Sequence, residues 1–501
     1  MADEVPNSAR IALRARLDQA APYILDDPTY DPAAFGTMQL LLTLAGIVRR
    51  DADRARYWLL MTVVSGVMPT KEQLLRGYRM LELSEPGTEH YAVLHGCAGM
   101  ASGNENFERS LTVVNDRTIV EVDFSARHGH NTGIQRVVRE TISRWNVKHD
   151  PLLVAWTEDG QQMRSLVPEE ETRVVAWTSS RKLESSPASW DLAAETIVPW
   201  NAVILLPEVA QHRVWERLAC LAEFSSNRVA LIGYDAIPVS SAEYVIPSES
   251  DRFVRYLSVV KNADLVLGIS ESSSEEFAGF ADSLKAQDLR GPRVKTVRLP
   301  VALPATEAAG AGVRDRESEL PLVLCVGTQE PRKNQLGVLA ASEILWQRGL
   351  EFELLFIGSA AMPLSVPFDI EVERLHRAGR KITVIRHASD FELERAYRAA
   401  RFSIFVSLHE GYGLPVGESL AAGTPVVTTN FGSTAEIAAG GGCLLVDPRD
   451  DFAIAEAMAS LLTDEELLQT LRTEARARPN RTWDDYATEL WEAVAELGMT
   501  R

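Results

Sequence analysis

The sequence predicts an α/β protein with two parallel-sheet domains and an additional helical region at its amino terminus. Short apolar runs typical of buried strands alternate with helical patterns in two series, one on each side of residues 304–320. Polar, glycine-bearing segments follow several of these runs directly, at the strand ends where ligands collect in parallel sheets. The first 114 residues instead show apolar residues at helical spacing. A chain of 501 residues is too long for one hydrophobic core, so two or three domains are expected.

The composition is that of a soluble globular protein, with 46% hydrophobic and 24% charged residues. A net charge of -19 at pH 7 argues against nucleic acid as the main partner. The four cysteines stand far apart in the sequence. This spacing favours free thiols in a reducing cytoplasm over disulfides or a zinc site.

No stretch of the sequence predicts a membrane span or a signal peptide. Residues 1–7 are polar and acidic, unlike a secretory leader. The longest uncharged apolar stretches, residues 35–48 and 57–68, are shorter than the roughly 20 residues that a spanning helix needs. We therefore expect a cytoplasmic protein, and the sequence leaves open a peripheral position at the inner membrane face.

Residues 1–114 are expected to form a helical accessory domain. Apolar residues recur at helical spacing within residues 38–48, 58–67 and 74–83, separated by breaks that contain proline. No pattern there indicates chemistry, so the expected role is assembly or docking. Homo-oligomerisation through these helices and contact with a membrane surface both stay open.

The alternating series set the remaining domain borders. A first parallel-sheet domain is expected at residues 115–303, a linker rich in Ala, Pro, Glu and Gly at 304–320, and a second parallel-sheet domain at 321–480. A last helix, at residues 481–501, is expected to pack back toward the first domain. The expected strands of the first domain are residues 118–124, 152–156, 174–177, 202–206, 229–232, 265–269 and 294–299. Those of the second domain are residues 322–326, 353–357, 382–385, 402–406, 425–428 and 443–446.

A loop with two histidines and two glycines follows the first expected strand of the first domain. It contains His128, His130 and Gly133, and Arg136 and Arg139 lie on the first turns of the helix that follows. One interpretation places Gly133 near phosphate groups, with an arginine supplying positive charge. The alternative is an ordinary strand–helix turn whose arginines are solvated.

Asp235 follows another buried strand of the first domain immediately. The carboxyl end of a parallel strand is a common position for a site residue. Aspartate is also a frequent turn former, so both interpretations stay open for Asp235.

Three segments at expected strand ends of the second domain can converge on one ligand. The first, residues 327–334, contains Arg332 and Lys333, which offer a planar fork and a point charge suited to a diphosphate. Its alternative is a basic helix start that faces water, which the helix dipole slightly disfavours. The second, residues 385–390, stands where backbone groups can contact a nucleotide base.

The third segment, residues 409–418, is the most informative. It joins a buried strand to a helix start through a loop that contains Gly411 and Gly413. Glu410 and Glu418 bracket the loop, and because carboxylates there repel a bare phosphate, we interpret them as acceptors for sugar hydroxyls. The helix start adds unpaired amides and a positive dipole.

Residues 327–334, 410–418 and 422–427 resemble the retaining glycosyltransferases of family 4, which have the GT-B fold. The resemblance is strong over residues 321–480, weaker over 117–300 and absent before 115. Residues 132–137 are similar to a subset of bacterial enzymes that build surface polysaccharides. The resemblance implies two Rossmann-like domains that face each other across a cleft, with the nucleotide sugar held by the second domain.

The resemblance also implies roles for individual residues. Arg332 and Lys333 would hold the donor diphosphate, Glu410 the transferred sugar, and Glu418 the ribose. The catalytic candidates are therefore Arg332, Lys333, Glu410 and Asp235. The other donor-binding candidates are Gly133, Gly327, Thr328, Asn334, His387, Gly411, Tyr412, Gly413 and Leu414.

One position departs from the family pattern. Family members often carry a histidine before the aspartate at the end of a first-domain strand, whereas this chain has Tyr234 before Asp235. His128 or His130 could compensate for that histidine. The acceptor-side candidates are therefore His128, His130, Arg136 and Tyr234.

The expected reaction is transfer of a hexose from a nucleotide-diphosphate sugar to a hydroxyl of a glycan or lipid-linked glycan, with retention of configuration. GDP-mannose is the favoured donor, and a UDP- or dTDP-sugar is the alternative. No cofactor and no metal are expected, because no Asp-x-Asp element stands where a metal would be held. Two other hypotheses stay open: a catalytically silent scaffold that binds sugar nucleotides, and an enzyme of the same fold that hydrolyses or epimerises them.

Overall fold

The computed structural model describes residues 7–100, 110–129, 132–177, 194–303, 320–479 and 481–499. His130 and nearly all of the expected linker at 304–320 lie outside these residues. The described chain contains two β-sheets, a helical region before the first sheet and a last helix after the second.

Among the described residues, five α-helices precede the first sheet. Asp53 and Thr70 cap two of them by accepting backbone N–H groups of the first turn. The helices and the adjacent face of the first sheet share one hydrophobic core, which joins Trp58 and Leu60 to Ile197 and Trp200. The region is therefore packed onto the first sheet along its length. Its helices are α1 (Asn7–Leu25), α2 (Thr37–Asp51), α3 (Arg54–Ser65), α4 (Lys71–Glu82) and α5 (Glu89–Cys97).

The first sheet has nine strands in the order β1-β5-β4-β3-β2-β6-β7-β8-β9, and only β4 runs antiparallel to its neighbours. The strands are β1 (Leu111–Asn115), β2 (Thr118–Glu121), β3 (Leu152–Trp156), β4 (Met163–Ser165), β5 (Thr196–Trp200), β6 (Val203–Leu206), β7 (Arg228–Gly233), β8 (Leu265–Gly268) and β9 (Arg293–Thr296). The accompanying helices are α6 (Asp123–Arg127), α7 (Gly133–Lys148), α8 (Pro168–Val175), α9 (Trp215–Phe224), α10 (Ile237–Ser240), α11 (Pro247–Asn262) and α12 (Glu271–Leu284).

Part of the first domain differs from the sequence expectation. The strand expected at 174–177 is wrong, because Pro168 in the first turn and three following glutamates favour helix α8, which continues to Val175. The strand expected at 118–124 ends at Glu121, since Asp123 begins α6. Strand β1 lies within the stretch expected to be helical, and β4 and β5 were not expected. Pro199 inside β5 breaks the usual strand pattern.

The second sheet confirms the strands expected from the sequence. Its six strands are parallel, in the order β12-β11-β10-β13-β14-β15. They are β10 (Leu322–Val326), β11 (Glu353–Ile357), β12 (Ile382–Ile385), β13 (Phe402–Phe405), β14 (Val426–Thr429) and β15 (Cys443–Val446). The helices are α13 (Gln335–Gln347), α14 (Val366–Arg377), α15 (Asp390–Ala399), α16 (Leu414–Ala421), α17 (Gly432–Ala438), α18 (Asp451–Thr463) and α19 (Glu465–Ala477).

The last helix, α20 (Trp483–Met499), leaves the second domain and packs on the first. The indole N–H of Trp145 in α7 donates to the carbonyl of Ala487 at 2.8 Å. Leu490 and Tyr486 are fully buried in the core that β2, β6 and α7 form. The two domains are thus tied together by the chain that crosses between them. None of the helices in the described ranges is long and apolar enough to cross a membrane.

Leu490→Ala is expected to lower the free energy of unfolding by about 2–5 kcal/mol, because it leaves a cavity under α20. Denaturant unfolding followed by circular dichroism measures this. Leu83→Ala is the control, since Leu83 is 86% exposed and its truncation is expected to cost less than about 0.5 kcal/mol. Equal losses in the two variants would contradict the packing of α20.

Candidate active site

The loop between β13 and α16 approaches the first domain at a glycine. A Cβ on Gly411 would lie 2.2 Å from the carbonyl oxygen of Tyr234, so no larger residue fits without movement. Gly413 has φ 100°, a left-handed conformation that glycine adopts without strain, and it begins α16 with Pro415 in the first turn. The local sequence therefore produces both a close approach between domains and a sharp entry into the helix.

Glu410, Lys333 and Arg332 form a buried ion cluster at the centre of this loop. One carboxylate oxygen of Glu410 accepts from Lys333 Nζ at 2.6 Å and lies 2.9 Å from Arg332 Nη1. The Ser407 hydroxyl donates to the same oxygen at 2.5 Å. Burial opposes ionisation, but the two cations outweigh it and lower the pKa of Glu410 to about 2. Glu410 is therefore a carboxylate at every working pH.

Both cations are held in fixed positions. Arg332 also donates to the carbonyl of His409 at 2.8 Å and to Glu330 at 2.6 Å. The ammonium of Lys333 lies 5.0 Å from the centre of the Phe405 ring. Because these contacts fix the side chains before any ligand arrives, the cluster is preorganised for an anion.

Glu418 is buried and already has two partners. It accepts from Arg136 Nη1 of the first domain at 2.5 Å and from the Tyr397 hydroxyl at 2.9 Å. Burial raises the pKa of Glu418, although Arg136 and Tyr397 oppose this rise. Arg136 also donates to the carbonyl of Ala302. The structure thus joins two candidates that the sequence placed on opposite sides of the cleft, and Arg136 reaches into the second domain.

Gly133 lies beside the first residue of α16 in the second domain. A Cβ there would lie 3.2 Å from Leu414 Cδ1. Gly133 is the first residue of α7, whose amino-terminal amides have no partner inside the helix. Gly133 therefore lies at the boundary between the two domains.

The remaining residues of that loop have different environments. His128 packs its ring on Phe124, with centroids 4.6 Å apart, and its carbonyl accepts from Arg139. Arg139 is buried and lies over the Trp177 ring, so it belongs to the interior of the first domain. His130 lies outside the described residues.

Tyr234 and Asp235 are consecutive but point to different surroundings. The Tyr234 side chain is buried in the first domain, and its hydroxyl donates to the carbonyl of Pro207 at 2.7 Å. Only its backbone carbonyl approaches Gly411, so the acceptor-side role expected for its side chain does not fit this arrangement. Asp235 Oδ2 lies 3.1 Å from the position of a Cβ on Gly411. Burial raises the pKa of Asp235 to about 6.

Four donor-binding candidates of the second domain lie around the ends of β10 and β12. Gly327 has φ 145°, and Thr328 hydrogen-bonds through its hydroxyl to a neighbouring serine. Asn334 is left-handed with φ 54°, and its side chain donates to the carbonyl of Pro448 at 2.7 Å. That contact gives Asn334 a structural role at the start of α13. His387 is exposed.

Sequence reasoning missed a bridge between the domains at His409. Its Nδ1 lies 2.7 Å from the Ser241 hydroxyl and its Nε2 lies 2.9 Å from Glu276, both on the first domain. The hydrogen bond to Glu276 raises the pKa of His409. His409 was visible as the first residue of the informative stretch, but its partners are more than a hundred residues away in the chain.

Glu436 forms a second bridge. It caps a helix of the other domain by accepting the amides of Glu271 at 2.9 Å and Ser272 at 2.7 Å. The Tyr412 hydroxyl donates across the same boundary to the carbonyl of Leu299 at 2.8 Å. These polar contacts hold the two domains in a closed arrangement.

A cavity of about 450 Å³ lies between the domains beside the ion cluster. Its volume is in the range of small-ligand sites. Among the residues described, no group of three or more His, Cys, Asp or Glu side chains is placed to hold a metal ion. The cavity walls come from both domains and include Glu276, Ser407, His409, Glu410, Phe431 and Ser433.

Residues 313–478 match the family model described as "Glycosyl transferases group 1". The chain is 26% identical over 348 residues to the "Serotype-specific mannosyltransferase WbdA" of Escherichia coli, an alignment that covers 64% of this chain and 38% of that protein. It is 32% identical over 176 residues to the "O-antigen chain mannosyltransferase B" of Escherichia coli, covering 35% of this chain and 45% of that protein. The chain therefore spans less than half the length of these relatives.

The fold is similar to that of the sucrose-phosphate synthase of Thermosynechococcus elongatus, with a TM-score of 0.53 and 17% sequence identity. That match covers 77% of this chain and 100% of the solved chain. The likeness confirms the expected GT-B arrangement of two Rossmann-like domains around a cleft.

Gly411→Ala is expected to destabilise the closed arrangement, because the new methyl group would collide with the carbonyl of Tyr234. The free energy of unfolding should fall by about 1–3 kcal/mol. Gly279→Ala is the matched control, since a Cβ there has no neighbour within 4 Å and α12 gains helix propensity. If the two variants unfold alike in denaturant, the close approach of the domains at Gly411 is wrong.

Proposed function

We propose that this chain is a retaining hexosyltransferase that uses a nucleotide-diphosphate sugar, because residues 313–478 match the family model of the group 1 glycosyl transferases. The acceptor is a hydroxyl of a glycan or of a lipid-linked glycan. The observation that supports this most strongly is the buried cluster of Glu410, Lys333 and Arg332, of which Glu410 lines the interdomain cavity.

The two cations supply the charge that a leaving nucleoside diphosphate requires. Lys333 and Arg332 contact one carboxylate oxygen of Glu410, and Arg332 also pairs with Glu330, so the two cations are held beside each other. A diphosphate that binds beside them gains charge-assisted hydrogen bonds in a site partly shielded from water. The same contacts strengthen as negative charge develops on the leaving group, which lowers the barrier to transfer.

Glu410 holds the transferred sugar in this proposal. Its second carboxylate oxygen is the one that the ion cluster uses least, and hydroxyls of a hexose can donate to it. Asp235 lies across the domain boundary, next to Gly411 of the same loop. Catalysis then depends on orienting donor and acceptor and on charge stabilisation, with the leaving phosphate assisting removal of the acceptor proton.

Glu418 binds the donor ribose in this proposal, through a carboxylate that Arg136 contacts from the first domain. The carboxylate of Glu418 is shared by Arg136 and Tyr397. A ribose hydroxyl can replace Arg136 as the donor to Glu418, and the guanidinium is then free to turn toward the phosphates. Arg136 would thus respond to whether the donor site is filled.

GDP-mannose is the proposed donor. The two relatives described above are named as mannosyltransferases, and residues 329–334 resemble the corresponding segment of enzymes that use GDP-mannose. Thermal-shift screening against GDP, UDP, dTDP and their sugars tests this choice, because a ligand that binds only the folded state raises its melting temperature. A shift specific to GDP is expected. A shift specific to UDP or dTDP contradicts the mannose donor, and no shift with any of these ligands contradicts a sugar-nucleotide site.

The two glutamates are expected to affect different steps. Glu418→Ala should weaken donor binding at least tenfold with a smaller effect on kcat, because it removes the ribose acceptor. Glu410→Ala should mainly lower kcat, since it disturbs the transferred sugar and the two cations at the reacting centre. Steady-state kinetics with the screened donor separates the two effects, and Glu394→Ala, at a carboxylate that pairs with Arg398 of the same helix, is the control. The reverse pattern would mean that the two roles are exchanged.

Asp235 is expected to set the acid side of the pH profile. Its carboxyl is neutral below its pKa of about 6 and ionised above it, so kcat/KM should rise with pH through this region. Asp235→Asn should remove that rise and lower the plateau. His409→Gln is the control for the other titrating group nearby and should keep the rise near pH 6. A rise that persists in Asp235→Asn excludes Asp235 as its cause.

A further inference from the structure

A second cavity, of about 650 Å³, lies in the first domain between the amino-terminal halves of α9 and α11. Four arginines and one histidine line it, against two carboxylates, in a chain whose net charge is -19. The charged lining residues are His212, Arg213, Glu216, Arg217, Asp251, Arg252 and Arg255.

The cavity opens at the carboxyl edge of the first sheet. Residues 212–217 follow the carboxyl end of β6, and α11 follows β7 through a segment that contains Ser241. Ser241 is the partner of His409 in the interdomain bridge. Arg213 forms an ion pair with Asp123, which begins α6 and leads into the loop before Gly133. The cavity is therefore on the side of the first domain where the acceptor must approach.

Arg217 is the unusual member of this group. It makes no hydrogen bond or ion pair with the residues described, and its Nε is buried without a partner. Burial lowers the pKa of Arg217. The charges of Asp159 and Glu216 oppose this shift, but neither carboxylate forms a hydrogen bond with the guanidinium. A half-buried guanidinium without a paired anion is costly. An anionic ligand in the cavity would compensate that cost.

The neighbouring arginines can change partners at little cost. Arg252 pairs with Glu249 at 3.0 Å and Arg255 with Asp251 at 3.3 Å, and all four side chains are exposed. Exposed pairs of this kind contribute about 0–1 kcal/mol each. Guanidinium groups bind phosphate through two parallel hydrogen bonds. A phosphate in the cavity can therefore replace these carboxylates.

The first turn of α9 adds to this electrostatic field. The helix begins at Trp215 with Val214 as its N-cap residue, which has no side-chain acceptor for the first amides. A helix start without such a cap attracts an anion. The start of α9 therefore adds to the attraction that the four arginines, including the unpaired Arg217, exert on an anion.

We propose that this arginine-lined cavity binds a phosphate or diphosphate group of the acceptor. The inference rests on the proposed transfer reaction, since it assigns the acceptor an anionic group held apart from the hydroxyl that receives the sugar. The phosphate can belong to a soluble sugar phosphate or to a lipid-linked diphosphate.

Calorimetric titration of the full chain with inorganic pyrophosphate tests the cavity. The wild type is expected to bind two pyrophosphates, one at Lys333 and Arg332 and one in the arginine-lined cavity. Lys333→Ala should remove the first, and Arg217→Gln should weaken the second at least tenfold. Arg228→Gln is the matched control, because Arg228 is an exposed arginine at the amino end of β7, on the opposite edge of the same sheet.

A folding control accompanies the titration. Because Arg217 has no partner to lose, Arg217→Gln should not lower the melting temperature, so lost binding cannot be ascribed to unfolding. The proposal is overturned if Arg217→Gln still binds two pyrophosphates. It is also overturned if the wild type binds a single pyrophosphate and only Lys333→Ala removes that binding. If Arg217→Gln loses one site and Lys333→Ala still binds two pyrophosphates, the cavity is supported. That result would contradict the diphosphate site at Lys333 and Arg332.

Vesicles distinguish the two sources of the phosphate. Phosphatidylcholine vesicles carrying a polyprenyl diphosphate should sediment the wild type and not Arg217→Gln if the group is lipid-linked. If pyrophosphate binding requires Arg217 but sedimentation with the vesicles does not, the phosphate belongs to a soluble molecule. Either result supports the cavity as a phosphate site, and independence from Arg217 in both overturns it.

Discussion

The arrangement of the cleft depends on one buried carboxylate that stays ionised. Glu410 is removed from water, which opposes its charge, yet Lys333 and Arg332 lower its pKa to about 2. Truncating one partner of a buried pair is strongly destabilising, so the three side chains act as a unit. Arg332 extends this unit to the carbonyl of His409, and thus fixes the backbone of the glycine loop that follows. Charge and loop geometry therefore have a common origin.

The same loop brings the domains together. Gly411 permits contact with the Tyr234 carbonyl, and His409 and Glu436 form polar bridges to α12 and its surroundings. These contacts are hydrogen bonds and small ion pairs, which can be broken and remade at modest cost. The last helix supplies the apolar connection through Leu490, which keeps the domains associated when the polar bridges open. A cleft that opens for a donor and closes over it is consistent with this division.

The second domain could be predicted from the sequence because its strands are short, apolar and bounded by glycine or polar turns. Its charged candidate residues could be proposed from chemistry, since Arg332, Lys333 and Glu410 lie in the loops that follow two of those strands. The first domain was harder. β5 contains Pro199, which is unusual inside a strand, so the sequence does not predict a strand there. The apolar pattern of β1 also fits a continuation of the helical region before it. The local pattern of apolar residues does not show which strands pair with each other in the folded sheet.

Contacts between distant residues could not be read from the sequence at all. Arg136 pairs with Glu418 across 282 positions, and Tyr234 turns its side chain into the interior because Pro207 offers a carbonyl there. Both facts depend on how the domains pack. Arg217 is similar, since its lack of a partner is a property of the folded surface between two helices.

The most direct test of the account compares a nucleoside diphosphate with its monophosphate. Isothermal titration calorimetry on the wild type and on Lys333→Ala, with the base that the thermal-shift screen selects, gives four affinities. The account predicts that the wild type binds the diphosphate at least a hundredfold more tightly than the monophosphate, and that Lys333→Ala removes most of this preference. A preference that is equally large in Lys333→Ala would show that the cluster around Glu410 does not hold the diphosphate.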